Sequence, residues 1–291
     1  MAELALGAEP CLTWLKRTGK RIIELLMKLH FGFRTSCFAG ICLGLALPCF
    51  ASAADAASEV AAKLRAKQSG SMFVRIRMEI GSGEKQTLQI QIKSRVSDAG
   101  GDIVYQILFP KERKGESVLL HRSGHKFSGT LFTLPNNLKS VGTAEMKQSL
   151  FGSDLSYEDI IDSPFAWSQQ TIVGTEDMDG TPCQILESKP GKGHTSSYSS
   201  VKSWVDSRRL VPLRIEKYDT SGKVARRINT TRVLLEGGDS LPVDLKVYGP
   251  GGSVTHITGS RLKRGVSYAD IEFTPEGLKQ LNAPPGSGSS E

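Results

Sequence analysis

The stretch "FVRIRMEI", residues 73–80, alternates strictly. Val74, Ile76, Met78 and Ile80 fall on one side of an extended chain, and Arg75, Arg77 and Glu79 on the other. "TLQIQIKS" repeats the pattern with Leu88, Ile90 and Ile92 against Gln89, Gln91 and Lys93. A period of two means one dry face and one wet face, as in antiparallel sheets. Further strands are expected at 103–109, 116–121, 126–134, 165–173, 183–187, 197–205, 213–218, 225–235, 243–248 and 254–262. Turn signals separate most of them: Gly81-Ser82-Gly83, Ser123-Gly124, Asp179-Gly180, Ser221-Gly222 and Gly237-Gly238. So many strands in succession predict an all-β chain with a few helices, its sheet curled on itself. A barrel of that size has an interior that side chains alone do not fill.

Three stretches break the alternation. Residues 54–67 are alanine-rich, with Val60 and Leu64 at helical spacing. Pro275 opens a short helix near the end. In mid-chain, "LFGSDLSYEDI" turns at Gly152-Ser153-Asp154 and then places Asp159 three residues after Ser156, the spacing of a helix-capping box. A preceding helical turn is expected at 144–149. A short helix at this point predicts a lid over the mouth of the curled sheet.

The first fifty residues change the picture. From Met27 the chain reads as a basic start, an apolar run at 36–50 and the small residues Ala51, Ser52 and Ala53, the parts of a cleaved export signal. The run falls short of the roughly 20 residues that span a bilayer. Met27 is the expected translation start, and Cys49 after Pro48 does not suit lipid modification. A cut after Ala53 removes four of the five cysteines and leaves only Cys183, so the domain at 54–282 must rely on its core. Residues 1–53 carry six Lys and Arg against three Asp and Glu, so the chain's net +7 falls to +4. That charge suits work near anionic lipid, and with export it excludes nucleic acid as the partner. The tail at 283–291 is expected to be disordered.

Little in the sequence suggests catalysis. His121 and His125 flank Ser123-Gly124, which makes a hairpin between two strands out of an apparent HxxxH. Asp177 and Asp179 before Gly180 are turn residues. Cys183 has no His or Asn near it in sequence, and no GxSxG elbow or phosphate loop is present. The serines at 196, 197, 199 and 200 read as the wet face of a strand start. Arg208-Arg209, Arg226-Arg227 and Arg261, Lys263 and Arg264 read as solvated strand ends or a basic rim. Asp154, Glu158 and Asp159 either complement a helix start or offer an acidic docking point for a membrane-bound partner. No metal or cofactor is expected.

Several stretches resemble the outer-membrane lipoprotein-sorting proteins of the LolA/LolB-like superfamily, in the branch encoded beside resistance-nodulation-type exporters. They are "LFTLPNNLKSV", "KQSLFGSDLSYEDI", "YSSVKSWVDSRRLVPLRIEKYDTSGKVARR" and the final "FTPEGLKQL". The resemblance covers roughly Ser71 to Leu281. The chain departs from the family pattern where Leu150 stands in place of a Met and Phe132 takes the aromatic position before Pro135. The resemblance implies an incompletely closed antiparallel β-barrel with helices across its opening and a cavity for acyl chains. It also implies a periplasmic monomer that carries lipoprotein acyl chains or phospholipid, without catalysis. Its partners would be an inner-membrane exporter or an outer-membrane acceptor. On this basis Phe151, Gly152, Ser153, Asp154, Tyr157 and Asp159 are expected in the lid, Phe151 as an inward plug and the acidic face in water. Val74, Ile76, Met78, Leu88, Ile90, Ile92, Trp204 and Tyr218 are expected in the cavity wall. The rival expectation is a protein-binding envelope module of the same fold, a stress sensor or exporter accessory, which would have a small, filled cavity.

Overall fold

In the computed structural model residues 53–81 and 85–280 are described; the expected export signal, Cys11, Cys37, Cys42, Cys49, the expected turn residues Ser82 and Gly83 and the tail lie outside them. The alternating stretches form thirteen strands: β1 Gly70–Ile80, β2 Gln86–Val96, β3 Gly100–Phe109, β4 Ser117–Ser123, β5 Lys126–Thr133, β6 Asn137–Val141, β7 Gln169–Met178, β8 Thr181–Lys189, β9 Ser200–Asp206, β10 Pro212–Tyr218, β11 Val224–Glu236, β12 Asp239–Tyr248 and β13 Val254–Arg264. Among the described residues three α-helices accompany them: α1 Ala53–Gln68, α2 Tyr157–Ile161 and α3 Pro275–Gln280.

All strands join one antiparallel sheet in the order β6-β5-β4-β3-β2-β1-β13-β12-β11-β10-β9-β8-β7. Two meanders, β1 to β6 and β7 to β13, are stitched at their first and last strands by the β1–β13 pair. The sheet does not close, which leaves β6 and β7 as its two edges. This topology explains the mid-chain interruption. Consecutive strands β6 and β7 stand at opposite edges, so residues 142–168 must cross the opening. That crossing carries the lid. The expected open barrel with a helical lid is the architecture observed.

Several boundaries differ from expectation. The strand expected at 165–173 begins only at Gln169, because Phe165 sits in a 3-10 turn, Pro164–Ala166, and is buried against α1. The helix expected at 144–149 is a 3-10 turn, Thr143–Lys147. β6 had no counterpart in the expected strands; its five residues carry only two apolar side chains. His121 lies in β4, but His125 sits in the turn before β5 rather than on a second strand. Asp177 lies in β7, not in the turn. The serines at 196, 197 and 199 precede β9, which starts at Ser200.

The concave face is filled in three portions. α1 lays Ala57, Ala61 and Leu64 on Phe165, Leu186 and Val205. A second cluster joins Ile76, Met78, Leu88, Ile90 and Ile107 of the sheet to Leu150, Phe151, Leu155 and Ile161 of the lid. The third portion is a cavity. On the convex face Phe273 and Leu278 of the C-terminal segment cover Val104, Leu119 and Phe132.

Candidate functional site

Two adjoining cavities occupy the concave face, one of 620 Å³ and one of 320 Å³. Their size is that of small-molecule sites. They share the walls Met72, Val74, Ile92, Tyr105, Ile160 and Ile228. The larger adds Ile76, Met78, Leu155, Leu241, Leu245 and Ile257. The alternation of β1, β2, β3, β11, β12 and β13 supplies one such side chain every second residue, and cross-strand pairs such as Val74–Ile92, Leu245–Ile257 and Met78–Ile257 set them side by side. Polar groups stand at the margin: Lys67, Gln68, Arg232, Ser260 and Arg261. Burial raises the Tyr105 hydroxyl well above the ordinary tyrosine range, so it stays neutral in the wall.

The lid is built in two steps. Leu150 to Ser153 form a tight turn closed by Ser153 N–H donating to the Leu150 carbonyl at 3.0 Å. Its central residues Phe151 and Gly152 have φ of 55° and 89°, the positive pair of a type I′ turn. Such a φ is strained for a bulky residue, and Phe151 holds it while buried in the aliphatic cluster. Leu150 N–H then donates to the Leu155 carbonyl at 2.7 Å, closing the loop. Asp154 anchors this loop to the sheet by accepting from Ser253 Oγ and, at 2.7 Å, from Thr255 Oγ1. A side chain at Gly249 would collide with Asp154, because an added Cβ would stand 2.1 Å from Oδ1.

α2 follows with Ser156 as its cap. Asp159 N–H donates to Ser156 Oγ at 3.2 Å and Ser156 N–H donates to Asp159 Oδ2 at 2.7 Å, the capping box expected from spacing. The acidic face, however, does not stay in water. The Asp159 carboxylate is fully buried, accepts from Lys217 Nζ at 2.7 Å and Tyr198 Oη at 2.9 Å, and pairs with Arg226. Glu158 is buried too, accepting from Ser196 Oγ at 2.6 Å and Ser197 N–H at 2.8 Å. Asp162 accepts from Trp167 Nε1 at 3.1 Å and meets His194 Nε2 at 2.9 Å, and His194 Nδ1 meets His125 Nδ1 at 2.9 Å. Arg226 is therefore a buried counter-ion rather than a solvated strand end, and Ser196 and Ser197 bind the lid. The cause is long-range: the partners of Glu158 and Asp159 lie 38 to 67 residues away. Burial pulls the Lys217 ammonium down to about 8 against the opposing pull of Asp162 and Glu158.

Of the expected wall residues, Val74, Ile76, Met78 and Ile92 line the larger cavity. Leu88 and Ile90 lie on the same face but are fully buried beneath the lid in the aliphatic cluster. Trp204 and Tyr218 do not line either cavity. The concave phase of β9 and β10 is that of Val201, Ser203, Val205, Ile215 and Lys217, so Trp204 and Tyr218 fall on the convex face. There Trp204 Nε1 donates to Glu176 at 2.6 Å and Tyr218 Oη to Glu216 at 2.7 Å. Among the lid residues, Phe151 and Tyr157 are buried, Ser153 Oγ accepts from Leu155 N–H at 3.2 Å, and Asp159 borders both cavities. Sequence reasoning missed Tyr105, Ile160, Ile228, Leu245 and Ile257. The last three carry the same period-two signal as Val74 and Ile76.

Thirteen antiparallel strands left open, an apolar hollow and a lid that crosses it define a LolA-like open barrel. A family model described only as uncharacterized protein-like matches residues 102–280, and the chain belongs to that family. Solved structures share the fold. A DUF1329 family protein from Desulfovibrio piger is 23% identical, with a TM-score of 0.72 over 78% of this chain and 99% of that one. A putative outer membrane lipoprotein-sorting protein domain from Vibrio parahaemolyticus is 19% identical, with a TM-score of 0.70 over 78% and 99%. A LolA superfamily protein from Nitrosomonas europaea is 19% identical, with a TM-score of 0.61 over 77% and 98%. No curated protein matches the chain in sequence.

Proposed function

We propose that the protein is a periplasmic carrier that shields the acyl chains of lipoproteins or phospholipids between two membranes, working with an inner-membrane exporter or an outer-membrane acceptor. The observation that carries this is the 620 Å³ cavity, walled by aliphatic side chains and roofed by a lid. Each methylene transferred into such a wall contributes about 0.8 kcal/mol, so part of one chain gives useful affinity with no reacting group. The export signal in the sequence supports the location, and the fold shared with a putative lipoprotein-sorting domain supports the class of cargo. An unfilled cavity favours a carrier over a protein-binding module of the same fold.

The test is native mass spectrometry of the chain expressed in full and recovered from the periplasm without detergent. A bound phospholipid or acylated peptide, lost in Phe151→Asp, is the expected result. A bare mass together with no uptake of a fluorescent fatty acid would favour the protein-binding module.

A further inference from the structure

The β11–β12 hairpin projects at the margin of the larger cavity. Its turn is Gly237-Gly238, with φ of 58° and 86°, between the paired ends Glu236 and Asp239. Leu234 and Leu241 are cross-strand partners that line the cavity. The next residue, Leu235, is 70% exposed, the most exposed large hydrophobic among the described residues, and Leu234 is 36% exposed. The two adjacent leucines at the hairpin end point to opposite faces, one into the cavity wall and one into solvent, so an apolar group stands on each side of the rim. The hairpin is held by Lys67, whose Nζ donates to the carbonyls of Arg209 at 2.8 Å and Leu210 at 3.2 Å and lies 3.5 Å from that of Ser240. Arg264 adds a pair with Asp239 at 2.7 Å.

The unpaired charge beside it is mostly basic. Arg75 and Arg261 are direct cross-strand partners, both exposed. Like charges so placed cost stability, and no carboxylate among the described residues pairs with either. Lys263, two residues on, and Arg208 in the turn between β9 and β10 are likewise exposed without an ion pair among those residues. The acidic groups of this end are engaged: Asp244 with Arg232, Asp239 with Arg264 and Asp206 with Arg209. Glu236 alone of the hairpin's carboxylates has no cation against it among the described residues.

We propose that this rim docks on an anionic lipid bilayer, with Leu235 entering the interface and Arg75, Arg208, Arg261 and Lys263 facing the headgroups, so that the cavity mouth opens onto the membrane. An apolar tip and a basic surround are the two terms that hold a peripheral protein on lipid. This rests on the carrier reading, because it names the surface from which the cavity would load or unload.

The experiment is cosedimentation of the chain, expressed in full and recovered from the periplasm, with vesicles of phosphatidylethanolamine doped with phosphatidylglycerol, beside phosphatidylcholine vesicles. Binding to the anionic vesicles that weakens with salt is expected. Leu235→Asp should weaken it about tenfold and Arg261→Ala about fivefold. Phe109→Asp changes an exposed aromatic at the other end of β3 and should leave it unchanged. No binding by the native chain, or equal binding by Leu235→Asp, overturns the proposal. Uptake of a fluorescent fatty acid without vesicles separates the two readings. Leu235→Asp should retain uptake because Leu235 does not line the cavity. A native chain that binds vesicles but takes up no fatty acid keeps the docking rim and loses the carrier.

Discussion

The lid meets the two halves of the sheet through opposite chemistries. Toward β1 to β5 it offers Leu150, Phe151, Leu155 and Ile161, which pack on aliphatic side chains. Toward β10, β11 and the loop before β9 it offers Asp159, Glu158 and Asp162, each tied by polar bonds. Apolar contact has no direction and any hydrocarbon of similar shape replaces it. Buried ion pairs have fixed partners and cost dearly when one side is removed. On the proposed carrier reading the ionic side would be the hinge, and the aliphatic side the one a guest chain would displace.

The largest effect should come from the hinge. Asp159→Ala leaves Lys217 and Arg226 buried without their carboxylate, and we expect a loss of about 3–5 kcal/mol in urea unfolding. A loss under about 1 kcal/mol would contradict a hinge. On the other side, Ile160→Ala should cost about 2 kcal/mol, the low end for an aliphatic core residue, because Ile160 is only partly buried and borders a hollow. Because Ile160 lines both cavities, its loss should join them, and native mass spectrometry should then find a second acyl chain bound.

The hinge also carries a pH signature. Lys217 titrates near 8 in the folded chain and near 10.5 unfolded. Between those values the unfolded chain holds a proton that the folded chain has released, so stability rises with pH. Below pH 8 both states hold it and the slope from this group disappears. Lys217→Met should abolish the rise, measured from pH 8 to about 9.5, before ordinary tyrosines titrate. The smallest effect should be at Arg232, whose bidentate pair with Asp244 is half exposed. Arg232→Ala should cost about 0.2–1 kcal/mol, which measures what solvent takes from the same chemistry that is strong at Asp159.

What could be read from the sequence follows the same division. The aliphatic side was legible because a sheet with one buried face writes its phase into every second residue, as in Val74, Ile76 and Met78. The capping box was legible because it is local. The ionic side was not, because burial of Asp159 is decided by Lys217 and Arg226, which lie in other strands and look like any solvated charges. Trp204 was misplaced because its size drew it to the wall although it stands out of phase with Val201, Ser203 and Val205; its indole is satisfied outside, by Glu176. β6 escaped notice because Asn137, Lys139 and Ser140 leave little apolar pattern to detect.

Leaving the sheet open has a consequence for self-association. Two bare edges could each template pairing with another copy. The β6 edge is only five residues long and carries Lys139 outward. The β7 edge breaks its register between Ile172 and Gly174, sets Glu176 and Asp177 in solvent and lies under α1. Brevity, charge, a bulge and a covering helix are the guards that keep an unclosed container from growing into a fibre. The helix beside β7 therefore covers an edge as well as completing the core.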